Sequence, residues 1–346
     1  KTTDSNGVID IEGILLGTYT VEEIDVPAQY IIPKAQTITV VKDKTNELNF
    51  RNVLKKGTVT TTKVDKDYPE NKLSGAEFTV FYADGKTYGK LVEGTGTKKG
   101  VYTLKNIPYG NYYLKETKAP TGFVLDTKKY SFSITKNRQV ENIETEAGKG
   151  FVNTPIKGSI EVVKVDGTTK KPLSGAVFEL RNSSGTTIQT LTTGTDGKVK
   201  FENIRYGKYT VVETKAPDNY DLDSTPIPFE ILENGKTIPY TKDNTPTPAP
   251  LKIVKTSEDG KIDGIKFHIY GTSNTGVKVD LTKTTDSNGV IDIEGILLGT
   301  YTVEEIDVPA QYIIPKAQTI TVVKDKTNEL NFRNVLKKGD RKSTRL

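Results

Sequence analysis

Lysine, glutamate and asparagine recur at fixed places along this 346-residue chain, and together they have a definite chemistry. The stretches TVTTTKVD, SIEVVKVD and LKIVKTS read as strands, whose alternate residues share a face. That puts Lys63 in a row with Val59 and Thr61, Lys164 with Ile160 and Val162, and Lys255 with Leu251 and Ile253. In YYLKETKAP the same alternation sets Glu116 behind Tyr112 and Leu114, and the pattern recurs around Glu213, Glu305 and Glu23. Closing stretches put Asn153 with Phe151, Asn52 with Phe50 and Asn334 with Phe332, while Ile238 and Tyr240 lead through Lys242 to Asn244. From a closing Asn to the next opening Lys is 11 residues each time (52 to 63, 153 to 164, 244 to 255), which favours Lys255 over Lys252 and Asn244 over Asp243.

A charged group on a core face is expensive unless it is paired or neutralised. Burial favours the neutral amine of a lysine and the protonated form of a carboxylic acid. A neutral amine is a nucleophile, and a carboxamide carbon is its electrophile. An acid beside the amide can hydrogen-bond the carbonyl oxygen, polarise it and shuttle protons as ammonia leaves. Packing the groups together supplies the proximity that the reaction in water lacks. The expected product is a Lys–Asn isopeptide bond between the first and last strands of a unit. This is single-turnover self-modification, so the chain is not expected to be an enzyme. Two plainer readings stay open: a buried Lys–Glu ion pair with a hydrogen-bonded Asn, or a lysine that snorkels outward at a strand end.

The elements that must position these groups come in repeats. Residues 1–57 recur without change at 283–339, and two related units lie between them. LSGAEF, LSGAVF and IDGIKF follow the Lys strands, and NIPYGNYYL, NIRYGKYTV and GILLGTYTV lead into the Glu strands. The expected domains are 58–156, 157–247 and 248–339, preceded by a C-terminal remnant at 1–57 that keeps Glu23 and Asn52 but lacks a Lys strand and cannot cross-link. In 157–247, seven short strand patterns separated by turn formers such as SSG, TDG and ENG, with no amphipathic helix, predict an all-β sandwich. The junctions NTPIKG and NTPTPAP are short and Pro-bearing, which predicts tandem sandwiches arranged as a rod.

Composition narrows the function. A net charge of +5, dispersed over 49 basic and 44 acidic residues, argues against a nucleic-acid partner. No run of 18 apolar residues exists, so no membrane span is expected. Without Cys there are no disulfides or thiolate sites, and the single His268 sits in an alternating strand pattern, so neither cofactor nor metal is expected. DSNG, at 4–7 and 286–289, reads as a tight turn rather than a calcium loop, because the remaining ligand spacing is missing. YIIPK, at 30–34 and 312–316, matches a sortase-reactive lysine motif only in its PK. The absence of Met places the true N-terminus and any signal peptide outside this sequence, and DRKSTRL at 340–346 reads as a non-native, adapter-like tail.

YYLKETKAPTGF (112–123) and YTVVETKAPDNY (209–220), in register with KVD and NTP, resemble the E-box of CnaB-type domains of Gram-positive pilins and surface adhesins. The resemblance covers residues 1–339. It implies inverse-immunoglobulin, transthyretin-like sandwiches and spontaneous bonds in the sets Lys63, Glu116, Asn153 and Lys164, Glu213, Asn244. The last unit would use Lys255, Glu305 and Asn334, although YTVEEIDVPAQY (301–312) replaces the Thr, Ala and Gly of the box. The function implied is a structural stalk of a cell-wall-anchored adhesin or pilin-like protein, outside a Gram-positive cell. Its partners would be the neighbouring domains, with host matrix or glycan and the sortase and cell wall engaged through regions beyond this sequence. A ligand-binding adhesin region and an accessory module of a secreted enzyme are the rival readings.

Overall fold

The computed structural model describes residues 1–338; the adapter-like stretch 340–346 lies outside them. The chain divides into two compact units, Lys1–Ile156 and the part from Lys157 onward. The first unit contains the 1–57 stretch and one β-sandwich, and the second contains two sandwiches. The sole helical element among the described residues is a single 3-10 turn at Gly96–Lys98.

Each sandwich is built alike. In the first, the opening strand Lys56–Asp65 pairs antiparallel with Val101–Pro108 and parallel with the closing strand Phe151–Asn153. The facing sheet runs Tyr130–Ile134, Gly110–Lys118, Glu77–Tyr82, Thr87–Lys90. The inner faces meet in a core of Val59, Tyr102, Ile107 and Phe151 from one sheet and Phe78, Val80, Tyr112 and Leu114 from the other. In the second, seven strands are present: Lys157–Asp166 lies between Lys198–Arg205 and Thr237–Asn244, opposite a sheet of Thr187–Thr192, Val177–Asn182, Gly207–Lys215 and Ile227–Ile231. In the third, Pro248–Ser257 lies between Val290–Leu297 and Glu329–Leu336, opposite Lys278–Thr284, Lys266–Ser273, Gly299–Ile306 and Gln318–Val322.

The alternation expected of the opening strands is present. Val59, Thr61 and Lys63 are buried together, as are Ile160, Val162 and Lys164, and Leu251, Ile253 and Lys255. Lys252 faces outward beside Glu329. The closing strand of the second sandwich departs from expectation: Tyr240 is exposed, and the buried row consists of Lys242 and Asn244.

The exact repeat shows what the opening strand contributes. At 283–338 it folds against Pro248–Ser257; at 1–57 no such strand lies against it among the described residues. Ile291, Ile293, Ile296 and Val303 are 4%, 9%, 4% and 0% exposed, whereas their counterparts Ile9, Ile11, Ile14 and Val21 are 41%, 52%, 39% and 38% exposed. The strand Val290–Leu297 has no counterpart at 8–15, because its antiparallel partner is absent. What survives is Gly17–Val21 with Gln36–Val40 and a short pair, Tyr30–Ile31 with Val53–Leu54. The same residues thus form a covered sheet beside an opening strand and an exposed one without it.

Candidate functional site: buried lysine, glutamate and asparagine

Ladder register brings the three groups together. Closing and opening strands run parallel, with Asn153 opposite Asp65, Asn244 opposite Asp166 and Asn334 opposite Ser257. Each of these partners lies two residues beyond the site lysine, so Lys and Asn project from the same face, one step apart diagonally. From the facing sheet, Glu116, Glu213 and Glu305 pair across from Phe78, Phe178 and Phe267, all fully buried. The lysine backbone is pinned by a turn glycine: the N–H of Lys164 donates to Gly197 O at 2.7 Å and that of Lys255 to Gly289 O at 2.7 Å. Both glycines have φ near +75°, and a Cβ on either would stand within 2.6 Å of the lysine's carbonyl oxygen. The DSNG stretch at 286–289 therefore works as a turn, with the Asp286 carboxylate accepting the N–H groups of Asn288 and Val290. No cluster with metal-holding composition occurs among the described residues.

In the first sandwich Lys63, Glu116 and Asn153 are each 0–1% exposed. Lys63 Nζ donates to Asn153 Oδ1 and lies 2.9 Å from Glu116 Oε1. The same Oε1 accepts from Asn153 Nδ2 at 3.0 Å, so one carboxylate oxygen touches both the amine and the amide. The other, Oε2, accepts the backbone N–H of Asp126 at 2.8 Å. The walls are dry: Lys63 Nζ stands 4.1 Å from the Phe151 ring centroid, and Phe78 packs edge-on against Phe151. Burial pushes the Lys63 ammonium down to about 8, partly opposed by the attraction of Glu116.

The second sandwich repeats the arrangement. Lys164 Nζ donates to Asn244 Oδ1, to Glu213 Oε2 at 3.1 Å and to the Asp243 carbonyl at 3.0 Å, while Asn244 Nδ2 donates to Glu213 Oε1 at 3.1 Å. Burial again lowers the Lys164 amine, and the charge of Lys242 adds to the effect. Lys242 occupies the inward position two residues before Asn244, where the other units carry Phe151 and Phe332. It is 6% exposed, pairs with Asp223 Oδ2 at 3.0 Å and donates to Thr225 O at 2.9 Å.

The third site holds the same three groups in fewer contacts. Lys255, Glu305 and Asn334 are buried, and Asn334 Nδ2 donates to Glu305 Oε1 at 2.8 Å. Lys255 Nζ pairs with Glu305 Oε2 at 3.1 Å but does not reach Asn334 Oδ1, which is without a hydrogen bond. In the 1–57 stretch, Glu23 Oε1 accepts Asn52 Nδ2 at 3.1 Å, but Asn52 is exposed and no lysine joins them.

Two site positions escaped the sequence reading. Lys242 was visible as a Lys in a closing-strand slot otherwise held by Phe. Asp126, Asp223, Pro315 and Pro33 each lie ten residues after the Glu of their unit, a spacing open to inspection. His268, by contrast, is a strand residue at the sheet surface, between Asp280 at 2.9 Å and Glu304 at 3.4 Å.

Comparison with known proteins places this geometry in context. The family model described as SpaA, prealbumin-like fold domain, matches residues 1–54, 57–149, 158–246 and 249–336. The chain is 25% identical over 308 residues to serine-aspartate repeat-containing protein D of Staphylococcus aureus, covering 75% of this chain and 23% of that protein. It is 31% identical over 141 residues to the trypsin-resistant surface T6 protein of Streptococcus pyogenes, covering 37% of this chain and 26% of that one. The chain thus spans about a quarter of these relatives' length. Among solved structures, the Bacillus anthracis TIE protein superposes with a TM-score of 0.63 at 24% identity, covering 92% of this chain and 58% of that one, a likeness of fold.

Proposed function

The chain belongs to the SpaA family of prealbumin-like fold domains, and from that premise we propose that it is a stalk segment of a cell-wall-anchored surface adhesin or pilin-like protein, its sandwiches closed by autocatalytic Lys–Asn isopeptide bonds. The observation that carries the reading is the contact of Lys63 Nζ, fully buried, with both Glu116 and the carboxamide oxygen of Asn153. The same three-way contact in the second sandwich supports it.

The chemistry follows from the contacts. A proton passed from Lys63 to Glu116 across 2.9 Å leaves a neutral amine beside a neutral acid. The amine attacks Asn153 Cγ; the new C–N bond forms as the bond from Cγ to Nδ2 breaks. Glu116 hands its proton to the leaving nitrogen, whose N–H already points at the carboxyl, and takes one in return from the attacking Lys63 nitrogen, so that an amide N–H remains and ammonia departs. Water exclusion by Phe78 and Phe151 keeps hydrolysis from competing and strengthens every charge interaction in the site. The amine, acid and amide come from three strands of one folded unit, so folding itself supplies the effective concentration.

A bond between opening and closing strands has a mechanical consequence. Load entering at Lys56–Asp65 and leaving at Phe151–Asn153 would pass through the cross-link rather than through the sheets. That suits a surface stalk, placed outside the cell and anchored through other parts of a longer protein. The test is protease digestion followed by mass spectrometry. Branched peptides joining Lys63 to Asn153 and Lys164 to Asn244 are expected, and linear peptides alone would refute the reading.

A further inference from the structure

The residue ten positions after the Glu differs among the units, and between the first and third sandwiches the state of the site differs with it. In the first sandwich this residue is Asp126, whose N–H donates to Glu116 Oε2 at 2.8 Å. Its carboxylate is itself held, accepting Tyr130 OH at 2.6 Å and the Lys128 N–H at 2.8 Å. In the third sandwich the position is Pro315, which has no N–H to give. Glu305 Oε2 there receives no backbone N–H and meets the Lys255 ammonium at 3.1 Å, while Asn334 Oδ1 is without a hydrogen bond. The 1–57 stretch repeats the comparison: Pro33 takes the position, and Glu23 Oε2 is without a partner. In the second sandwich the position is Asp223, whose N–H does not reach Glu213; there Glu213 Oε2 is held by Lys164 Nζ, which the Asp243 carbonyl also holds at 3.0 Å.

We propose that Asp126, ten residues after the Glu of the first sandwich, is a positioning residue for cross-linking that acts through its backbone N–H, and that Pro315, which has none to give, leaves the Lys255–Asn334 pair unjoined. This rests on the isopeptide reading above. The physical argument concerns the carboxyl plane. An N–H fixed on Oε2 stops rotation about the terminal torsion of Glu116, which is otherwise broad. It thereby presents Oε1 to Lys63 Nζ at 2.9 Å and to Asn153 Nδ2 at 3.0 Å at once. In the third unit the carboxyl divides as it does in the second, Oε1 toward Asn334 and Oε2 toward Lys255, but neither a backbone N–H on the carboxyl nor a carbonyl on the amine, as Asp243 O provides for Lys164, fixes the pair. The amine is then drawn to the far oxygen of the carboxyl, and it makes no hydrogen bond to the carboxamide oxygen.

The test uses the full chain and locates each bond by peptide mass spectrometry. Wild type is expected to carry the bonds at Lys63–Asn153 and Lys164–Asn244, with Lys255 and Asn334 unlinked. Pro315→Ala, which restores an N–H and nothing else polar, is expected to add the Lys255–Asn334 bond. In the first unit, Asp126→Ala keeps the N–H and should keep the bond, while Asp126→Pro should lose it with the other units unaffected. A general structural role for the Asp side chain would make Ala and Pro behave alike. A wild-type chain already linked at Lys255, or a Pro315→Ala chain still unlinked there, overturns the proposal. Absence of all bonds from wild type would instead sink the isopeptide reading itself, so the two failures are distinguishable.

Discussion

Lys164 and Lys242 are direct partners across two parallel strands, and both side chains are buried on the same face. Two lysines in one dry core can coexist because each has its own acid, Glu213 for Lys164 and Asp223 for Lys242. Only Lys164 touches the carboxamide of Asn244.

The first prediction follows from that division. Lys164→Ala should abolish the cross-link of this unit, and Lys242→Phe should leave it intact. Phe is the residue the other units carry in this slot, and Asp223 is half-exposed enough to stay solvated. Replacing a buried charge by a fitted apolar group while its half-exposed partner stays in water is expected to leave the sandwich at least as stable. Mapping the branched peptide in each variant, with calorimetry of the Lys242→Phe chain, checks both statements.

Removing the acid should cost the bond and the stability that goes with it. The loop closed between Lys63 and Asn153 spans 90 residues, and that between Lys164 and Asn244 spans 80. Loops of this size contribute about 4–5 kcal/mol on the chain-entropy account of cross-links. Glu116→Gln, which keeps the shape of the side chain, is expected to lower the thermal transition of its sandwich accordingly and leave the others in place. An unchanged transition in a chain that has lost the bond would contradict the prediction.

The pH dependence of an unlinked unit has a definite sign. In a chain bearing Asn153→Ala, Lys63 stays an amine, buried beside Glu116. Burial lowers it from 10.5 to about 8. Between those values the unfolded chain keeps a proton that the folded chain has released, so stability rises with pH across the window. Below about pH 8 both states hold the proton and the burial penalty applies in full, up to about 3 kcal/mol. Calorimetry should therefore show this sandwich melting higher at about pH 10 than at about pH 7, relative to the others. A flat or inverted trend would show that Lys63 keeps its ordinary basicity.

The exact repeat offers a test of the fold account. Placing residues 248–282 ahead of Lys1 supplies the strand that 1–57 lacks. Hydrogen exchange at Ile9, Ile11 and Ile14 should then slow to the rates of Ile291, Ile293 and Ile296. Exchange that stays fast would mean that the covering strand alone does not decide the outcome.

Much of this was legible in the sequence because strand alternation has a period of two and the units repeat. Val59, Thr61 and Lys63 could be assigned to one face from TVTTTKVD alone, and the 11-residue spacing separated Lys255 from Lys252. Alternation held in the closing strand of the second sandwich, but burial along it did not follow hydrophobicity: Tyr240 is exposed while Lys242 is buried. Hydrophobicity was the wrong guide there, since Lys242 enters the core only because Asp223 meets it from a loop. The contact between Asp126 N–H and Glu116 was likewise hidden, because a backbone donor carries no residue signature. It becomes visible in sequence only through Pro315, the one residue type that deletes it.

The most direct test of the central claim is the intact mass of the full chain under denaturing conditions. The account predicts a deficit of two ammonia molecules relative to the mass calculated from the sequence, reduced to one by either Glu116→Gln or Glu213→Gln. A chain at full calculated mass would leave Lys63 and Lys164 as buried ion-pair lysines and contradict the account.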